Sequence, residues 1–306
     1  MNKEYQILFD KIDFKRIIDH PNILIAAAFW EEDRYLAAKT CYRYMRAIDD
    51  LIDCHKSVHT IIADSEKEQF MEKVQEWIAM AREAGNANPE KHELLETIQR
   101  FHIPVWPLEA FAKSMIYDID HNGFRTLDDF LEYSQGASVA PASIFVHLNG
   151  LTRHNFEFRP PAFDVRSAAT PCAIFSYLVH IIRDFQKDQL NNLNYFADDI
   201  MSDNGLTASD LRKIAEGGTI PAGFRNMMAT YSNLADSHRK DTYAIIEQIA
   251  PLLEPRYRLS LEIIFNLYLM VYERIDIEKG SFTAEELNPT PEEIKERVYN
   301  TIVKFR

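Results

Sequence analysis

The sequence predicts an all-α protein folded as one domain across residues 1–306. Three observations carry that expectation. Only 9 residues are glycine, and long stretches run without Gly or Pro to interrupt a helix. Within those stretches apolar residues recur three and four positions apart, the spacing of one helical face. At 46% hydrophobic and 12% aromatic the chain has ample material for a large core, and no repeat, low-complexity tract or compositional shift marks a second domain.

Taken in order, residues 2–19 read as a short amphipathic helix ended by His20-Pro21, because proline disfavours helix in the residue before it. Residues 22–30 are apolar. Glu31-Glu32-Asp33 then opens a helix, acidic groups suiting its positive N-terminus, and this helix carries Cys41 to Cys54. Residues 55–62 break the pattern, and 64–84 resume as a charged helix with Phe70, Val74, Trp77 and Ile78 inward. A loop at 85–89 precedes helices at about 90–101 and 107–121, the latter begun by Pro107. Thr126 starts the next helix, which runs through Tyr133 into the small residues 135–143, suited to close helix approach, a kink at Pro141 or plain core packing. Residues 153–161 read as a loop, and helix resumes near Ser167 until the asparagines at 191–194. Thr207-Ala-Ser-Asp210 resembles a capping box, followed by long helices at about 222–249 and 255–277 and a helical tail from Pro291.

The chemistry concentrates on two of these helices. On the first, Tyr42, Arg46, Asp49 and Asp53 share one stripe, with Asp50 on its edge. Like charges four residues apart are mildly destabilising unless a cation sits between them, and aligned carboxylates suit a hard, oxygen-seeking ion such as Mg²⁺. Alone, the pair also fits a solvated face. Ser176 to Asp188 repeats the device: Asp184 and Asp188 are again four apart, with Tyr177 and His180 above them and Arg183 adjacent. Two such stripes are what a metal-bridged diphosphate site needs.

Composition narrows the classes further. A net charge of −13 argues against nucleic acid and against electrostatic adhesion to anionic lipid. Bound metal ions can still invert that sign locally for an anionic substrate. Cys41, Cys54 and Cys172 are an odd number without metal spacing, so reduced thiols and a cytoplasmic setting are expected. No signal sequence is legible, and the apolar runs near 23–30 and 261–272 are too short for a transmembrane segment, leaving a soluble or peripheral protein. The ten histidines show no zinc spacing, and no Gly-rich phosphate loop or dinucleotide fingerprint is present.

The order Tyr42, Arg46, Asp49-Asp50, Asp53, then Asp118, Tyr133, Arg183-Asp184, Asp188 and Tyr195 resembles the squalene/phytoene synthase family over roughly residues 20–280. The resemblance implies an isoprenoid-synthase-type helical bundle around one central cavity. It implies joining two prenyl diphosphates, farnesyl or geranylgeranyl, head to head through a cyclopropyl diphosphate. By motif, Asp49, Asp53, Asp184 and Asp188 would hold Mg²⁺, and Arg46 would contact diphosphate. Asp118, His180 and Arg183 would join the substrate site, while Tyr42, Tyr133, Tyr195 and Tyr268 would line the cavity near the reacting carbons. Losing diphosphate leaves an allylic cation, which aromatic faces stabilise by roughly 0.5–2 kcal/mol each when water is excluded.

Several positions depart from the family pattern. Its Gln and Asn upstream of the second motif are Tyr177 and His180, its Ser-Phe element is Pro21-Asn22-Ile23, its Val-Ala-Gly is Ala137-Ser138-Val139, and an Arg is Leu193. Imidazole is a poor Mg²⁺ ligand, so a charged His180 touching phosphate is the expectation. Cavity depth, with Phe- and Met-rich lining from 107–121 and 133–151, is expected to limit chain length. Two alternatives stand beside coupling: ionising or cyclising one prenyl diphosphate (or stopping at the cyclopropyl intermediate), and binding without catalysis.

Overall fold

The computed structural model describes residues 3–15, 22–59, 61–82, 89–155 and 157–305. The expected helix end at His20-Pro21 and the loop at 85–88 lie outside them. Helices α1 (Lys3–Phe9), α2 (Asn22–Ala27) and α3 (Glu32–His59) come first, then α4 (Asp64–Arg82), α5 (Pro89–Arg100) and α6 (Trp106–Asp120). The first helix is thus far shorter than 2–19. The break expected at 55–62 is also wrong, since α3 continues to His59. Lys56 explains this. Its side chain is buried, and its ammonium donates to the carbonyls of Asp118 at 3.1 Å and His121 at 2.8 Å, satisfying the end of α6.

Next come α7 (Leu127–Ser134) and α8 (Ala140–Gly150), joined by a π-helical turn over Gln135–Val139. Thr126 and Asp129 cap α7 reciprocally. The wide turn has a local cause: Pro141 has no N–H to donate to the preceding turn. Gly136 adds a second constraint, because a Cβ there would lie 2.2 Å from the Ala110 carbonyl oxygen on α6. The small-residue run therefore serves both close approach and distortion. The expected loop at 153–161 contains a short antiparallel hairpin, β1 (Thr152–His154) with β2 (Glu157–Arg159), pairing Arg153 with Phe158.

The remainder is α9 (Val165–Arg183), α10 (Phe185–Leu190), α11 (Asp198–Asp203), α12 (Ala208–Ala215), α13 (Ala222–Ile249), α14 (Pro255–Tyr272), α15 (Ala284–Leu287) and α16 (Pro291–Lys304). The Thr207–Asp210 capping box is present, and α14 stops at Tyr272 rather than near 277. At 19 residues α9 is long and apolar enough to cross a membrane, contrary to the expectation of no such stretch; half of its apolar window is buried inside the fold. It runs as a core helix between α8 and α13.

Two apolar clusters hold these elements. One gathers α3, α4, α6, α8 and α14; the other gathers α7, α9, α10 and α13. Ala142 and Tyr268 pack against both. The cavity is lined from both clusters, by Phe145 and Leu261 of the first and Tyr133 and Ala173 of the second.

Candidate active site

A cavity of about 560 Å³ opens between the clusters. Its polar end receives Arg46, Asp49 and Asp53 from α3, and His180, Asp184 and Asp188 from α9 and α10. Its apolar end is closed by Phe145, Ala168, Ile249, Leu261 and Ile264. Along α9, Ala168 and Asp184 are 16 residues apart, or about 24 Å at 1.5 Å per residue. The two sequence stripes therefore meet at one mouth, with an oily tunnel behind them.

At the first stripe Arg46 donates to Asp49 and to Asp50. Burial raises the Asp49 carboxyl while Arg46 opposes it. Asp53, one turn on, makes no ion pair or side-chain hydrogen bond among the described residues. Burial, with Asp49 and Asp118 nearby, pushes it up to about 7.

The second stripe is built differently. Asp184 leaves helical geometry at φ −91°, ψ 3°, dividing α9 from α10, yet its N–H still reaches the His180 carbonyl at 2.9 Å. The Asp188 N–H in turn reaches the Asp184 carbonyl at 2.8 Å, so the four-residue register survives the bend. Arg183 grips the Asp184 carboxylate twice, Nε at 2.7 Å and Nη2 at 2.9 Å, and His180 Nε2 adds a contact at 2.7 Å. Burial would raise Asp184, but His180 and Arg183 overcome it and hold the carboxyl well below the carboxylate range. Asp188 is left without a partner among the described residues. Burial and Asp184 push it up to about 8. Burial and Arg183 lower the His180 pKa more than Asp184 raises it, which favours a neutral imidazole giving its N–H to Asp184, whereas the expected charge depends on contact with phosphate.

Aromatic rings line the wall between the two ends. Tyr42, Tyr133, Tyr195 and Tyr268 all reach the cavity, as the sequence suggested. Tyr177 joins them, stacked on Phe130 at 5.4 Å and edge-on to Tyr195 at 6.2 Å. Burial keeps Tyr133, Tyr177 and Tyr195 neutral phenols far into the alkaline range. Two expected site residues are not in the lining. Asp118 sits behind Tyr133 and accepts its hydroxyl at 2.6 Å, and Arg183 sits behind Asp184. The lining expected from 107–121 is absent too, since that face of α6 packs into the core; α9, α13 and α14 supply it instead.

Lys187, Asn191 and Tyr177 reach the cavity without having been picked as site residues. Lys187 and Asn191 are one turn apart beside Asp188, a spacing the sequence offered. Among the described residues no group of three or more His, Cys, Asp or Glu converges as a closed metal cage.

The squalene/phytoene synthase family model matches residues 21–290. The chain belongs to that family. Its fold is the all-α isoprenoid synthase fold of solved squalene/phytoene synthase relatives. A dehydrosqualene synthase in complex with ligand superposes with a TM-score of 0.68 at 15% identity, covering 99% of each chain. The squalene synthase HpnC from Alicyclobacillus acidocaldarius gives 0.63 at 15% identity, over 89% of this chain and 94% of that one. YisP from Bacillus subtilis subsp. subtilis strain 168 gives 0.62 at 14% identity, over 97% of each. No curated protein sequence matches. Membership of the squalene/phytoene synthase family makes this a prenyltransferase-like protein of the head-to-head class.

Proposed function

We propose that the protein joins two prenyl diphosphates, farnesyl or geranylgeranyl, head to head through a cyclopropyl diphosphate, with Mg²⁺ as cofactor. One observation carries this reading: both aspartate stripes meet at one mouth of a single cavity whose far end is apolar. Diphosphate belongs at the mouth and the prenyl tails in the tunnel, where burial of apolar chain drives binding.

The residues fit the metal. Asp53 and Asp188 are half-buried carboxylates without a paired cation, raised first by desolvation and then by neighbouring carboxylates. Mg²⁺ is ordinarily held by one or two carboxylates together with substrate phosphates, so the lack of a closed cage suits it. Asp49, Asp53, Asp184 and Asp188 are the candidates to hold it. Bound there, the ion neutralises the leaving diphosphate. Arg46 and Lys187 bring further positive charge to the same mouth. Tyr42, Tyr133, Tyr177 and Tyr195 surround the ionised carbon with neutral aromatic faces, and the tunnel excludes water.

A second reading, ionisation of one prenyl diphosphate without coupling, is favoured by the Asp184 clamp. With both its oxygens held by Arg183 and His180, this carboxylate is less open to metal than its sequence suggests. Purified protein incubated with farnesyl or geranylgeranyl diphosphate and Mg²⁺ separates the two. Diphosphate release with a product carrying both chains is the expected result. A single-chain alcohol or cyclised product gives the case to the second reading, and no Mg²⁺-dependent release sinks both.

A further inference from the structure

The apolar end of the cavity lies against a second hollow on the outer side of α13 and α14. That outer groove, of about 500 Å³, is lined by Tyr243, Ala250, Pro251, Phe265 and Asn266 with the Arg258–Glu262 pair. Ile246 belongs to both walls. On its inner side stand Ile245 and Ile249, and on its outer side Glu247 and Ala250, so the partition here is one helix surface thick. Packing explains why it is thin. Helix α13 lies along α9 for much of its length and meets α14 only briefly. A short 3-10 turn over Ala250–Leu252 joins the two helices and leaves Leu252 exposed.

Polar groups of α14 that line the groove are engaged along that helix, while Glu247 of α13 adds a carboxylate to the lining. Arg258 Nε donates to Glu262 at 3.1 Å, and the Asn266 amide donates to the Glu262 carbonyl at 2.8 Å. Apart from Glu247, what remains to be covered is apolar: the Tyr243 ring, set edge-on to Phe265 at 4.7 Å, with Ile246 and Pro251. Tyr243 is 45% exposed, a large uncovered ring beside a hydrophobic seam. Nothing charged faces that strip from the tunnel side, where Ile249, Leu261 and Ile264 line the end.

We propose that Ile246 is a gate: the distal end of a prenyl chain too long for the tunnel passes it into the outer groove, so Ile246 sets the longest chain bound. The inference rests on the reading of the cavity as a prenyl diphosphate site and adds its selectivity. The placement of one branched side chain in the walls of both hollows carries it. A chain held by its diphosphate at the aspartate mouth extends toward the apolar part of the cavity, whose lining includes Ala168, Ile246 and Ile249. Shape at that level, and not the metal end, then separates chain lengths. A shorter chain ends before the gate and is indifferent to it.

The test is binding, not turnover. Dissociation constants for non-hydrolysable farnesyl, geranylgeranyl and geranylfarnesyl diphosphate analogues are measured with Mg²⁺ by calorimetry. The proteins compared are wild type, Ile246→Trp, Ile246→Ala and Tyr243→Glu, each checked by thermal melting. Ile246→Trp should weaken the longest analogue at least about tenfold relative to farnesyl, the scale of one misfit in an apolar pocket. Ile246→Ala should shift that ratio the other way. Tyr243→Glu, at a 45% exposed position and with its fold verified by melting, should weaken only the analogue that reaches the groove. Unchanged ratios in Ile246→Ala and Tyr243→Glu overturn the gate while leaving the prenyl diphosphate site intact. No binding of any analogue to wild type overturns both.

Discussion

On α3, Asp49 and Asp53 project from an unbroken helix, and Arg46 divides its guanidinium between Asp49 and Asp50. At the α9–α10 junction the helix bends on Asp184 itself, and that carboxylate is clamped by Arg183 and His180. In each stripe the first aspartate has a cation and the second has none. The degree differs: Asp49 remains raised by burial in spite of Arg46, while Asp184 is driven well below the usual range. Equal spacing has produced one carboxylate clamped in the fold, one paired with Arg46 yet still raised, and two without a paired cation. Spacing decides where a carboxylate points, whereas its neighbours decide whether it is free to take a ligand.

The sharpest way to break this comparison is to remove each aspartate of the second stripe in turn. Asp188→Asn deletes a half-buried carboxylate that has no paired cation. It should lower Mg²⁺-dependent diphosphate release by about 10²–10³-fold, the scale of losing one electrostatic contact to the reacting group. The melting temperature should hold or rise, because nothing in the fold depends on its charge. Asp184→Asn leaves the partly buried Arg183 without its counter-ion and should cost up to about 3 kcal/mol of stability. Activity and thermal melts of both variants give the answer. Equal stability losses would show that the stripes do not divide the work in this way.

A weaker effect should appear in pH dependence. Asp53 and Asp188 are raised to about 7 and about 8, so the folded protein holds protons there that the unfolded chain has already lost. Stability of the metal-free protein should therefore fall as pH rises from about 4 toward 8 on account of these groups. Asp184 has the opposite sign. Its contribution is complete above the ordinary carboxylate range and is lost only in acid. Loading Mg²⁺ and diphosphate must displace the protons on Asp53 and Asp188, so apparent Mg²⁺ affinity should climb between pH 6 and 8 with protons released. Calorimetry in buffers of different ionisation enthalpy counts those protons. Affinity flat across that range would mean that the carboxylates are already ionised.

The same contrast explains what was legible in the sequence. Helical periodicity located both stripes, and the Thr207–Asp210 cap emerged as read, because such signals depend only on local geometry. Lys56 was read as part of a break, since the carbonyls it caps lie on α6, more than sixty residues away. Asp118 was expected at the site, and it stands behind Tyr133 outside the cavity lining, because helical spacing says nothing about depth. The α6 lining failed for a similar reason. Phe111 and Met115 are apolar on any reading, and only tertiary packing decides that they face the core and not the tunnel.

The smallest expected effect belongs to His180→Asn, and it probes the clamp directly. His180 is neutral because burial and the Arg183 charge outweigh the pull of Asp184, so its role is to donate one N–H to that carboxylate. Asparagine retains a donor and adds an amide oxygen, a better Mg²⁺ partner than imidazole nitrogen. Arg183 still holds Asp184 through two bonds, so the fold should barely notice. Because a donor is kept, activity should change by less than the roughly 10–100-fold that follows outright loss of a group orienting a metal ligand. Mg²⁺ affinity should tighten, and the pH profile should keep its shape, since no histidine charge was present to lose. Measuring diphosphate release against Mg²⁺ concentration from pH 6 to 9 in both proteins checks this. A decline at alkaline pH in wild type that the substitution abolishes would mean that His180 is charged when substrate is bound, with diphosphate rather than Asp184 as its main partner.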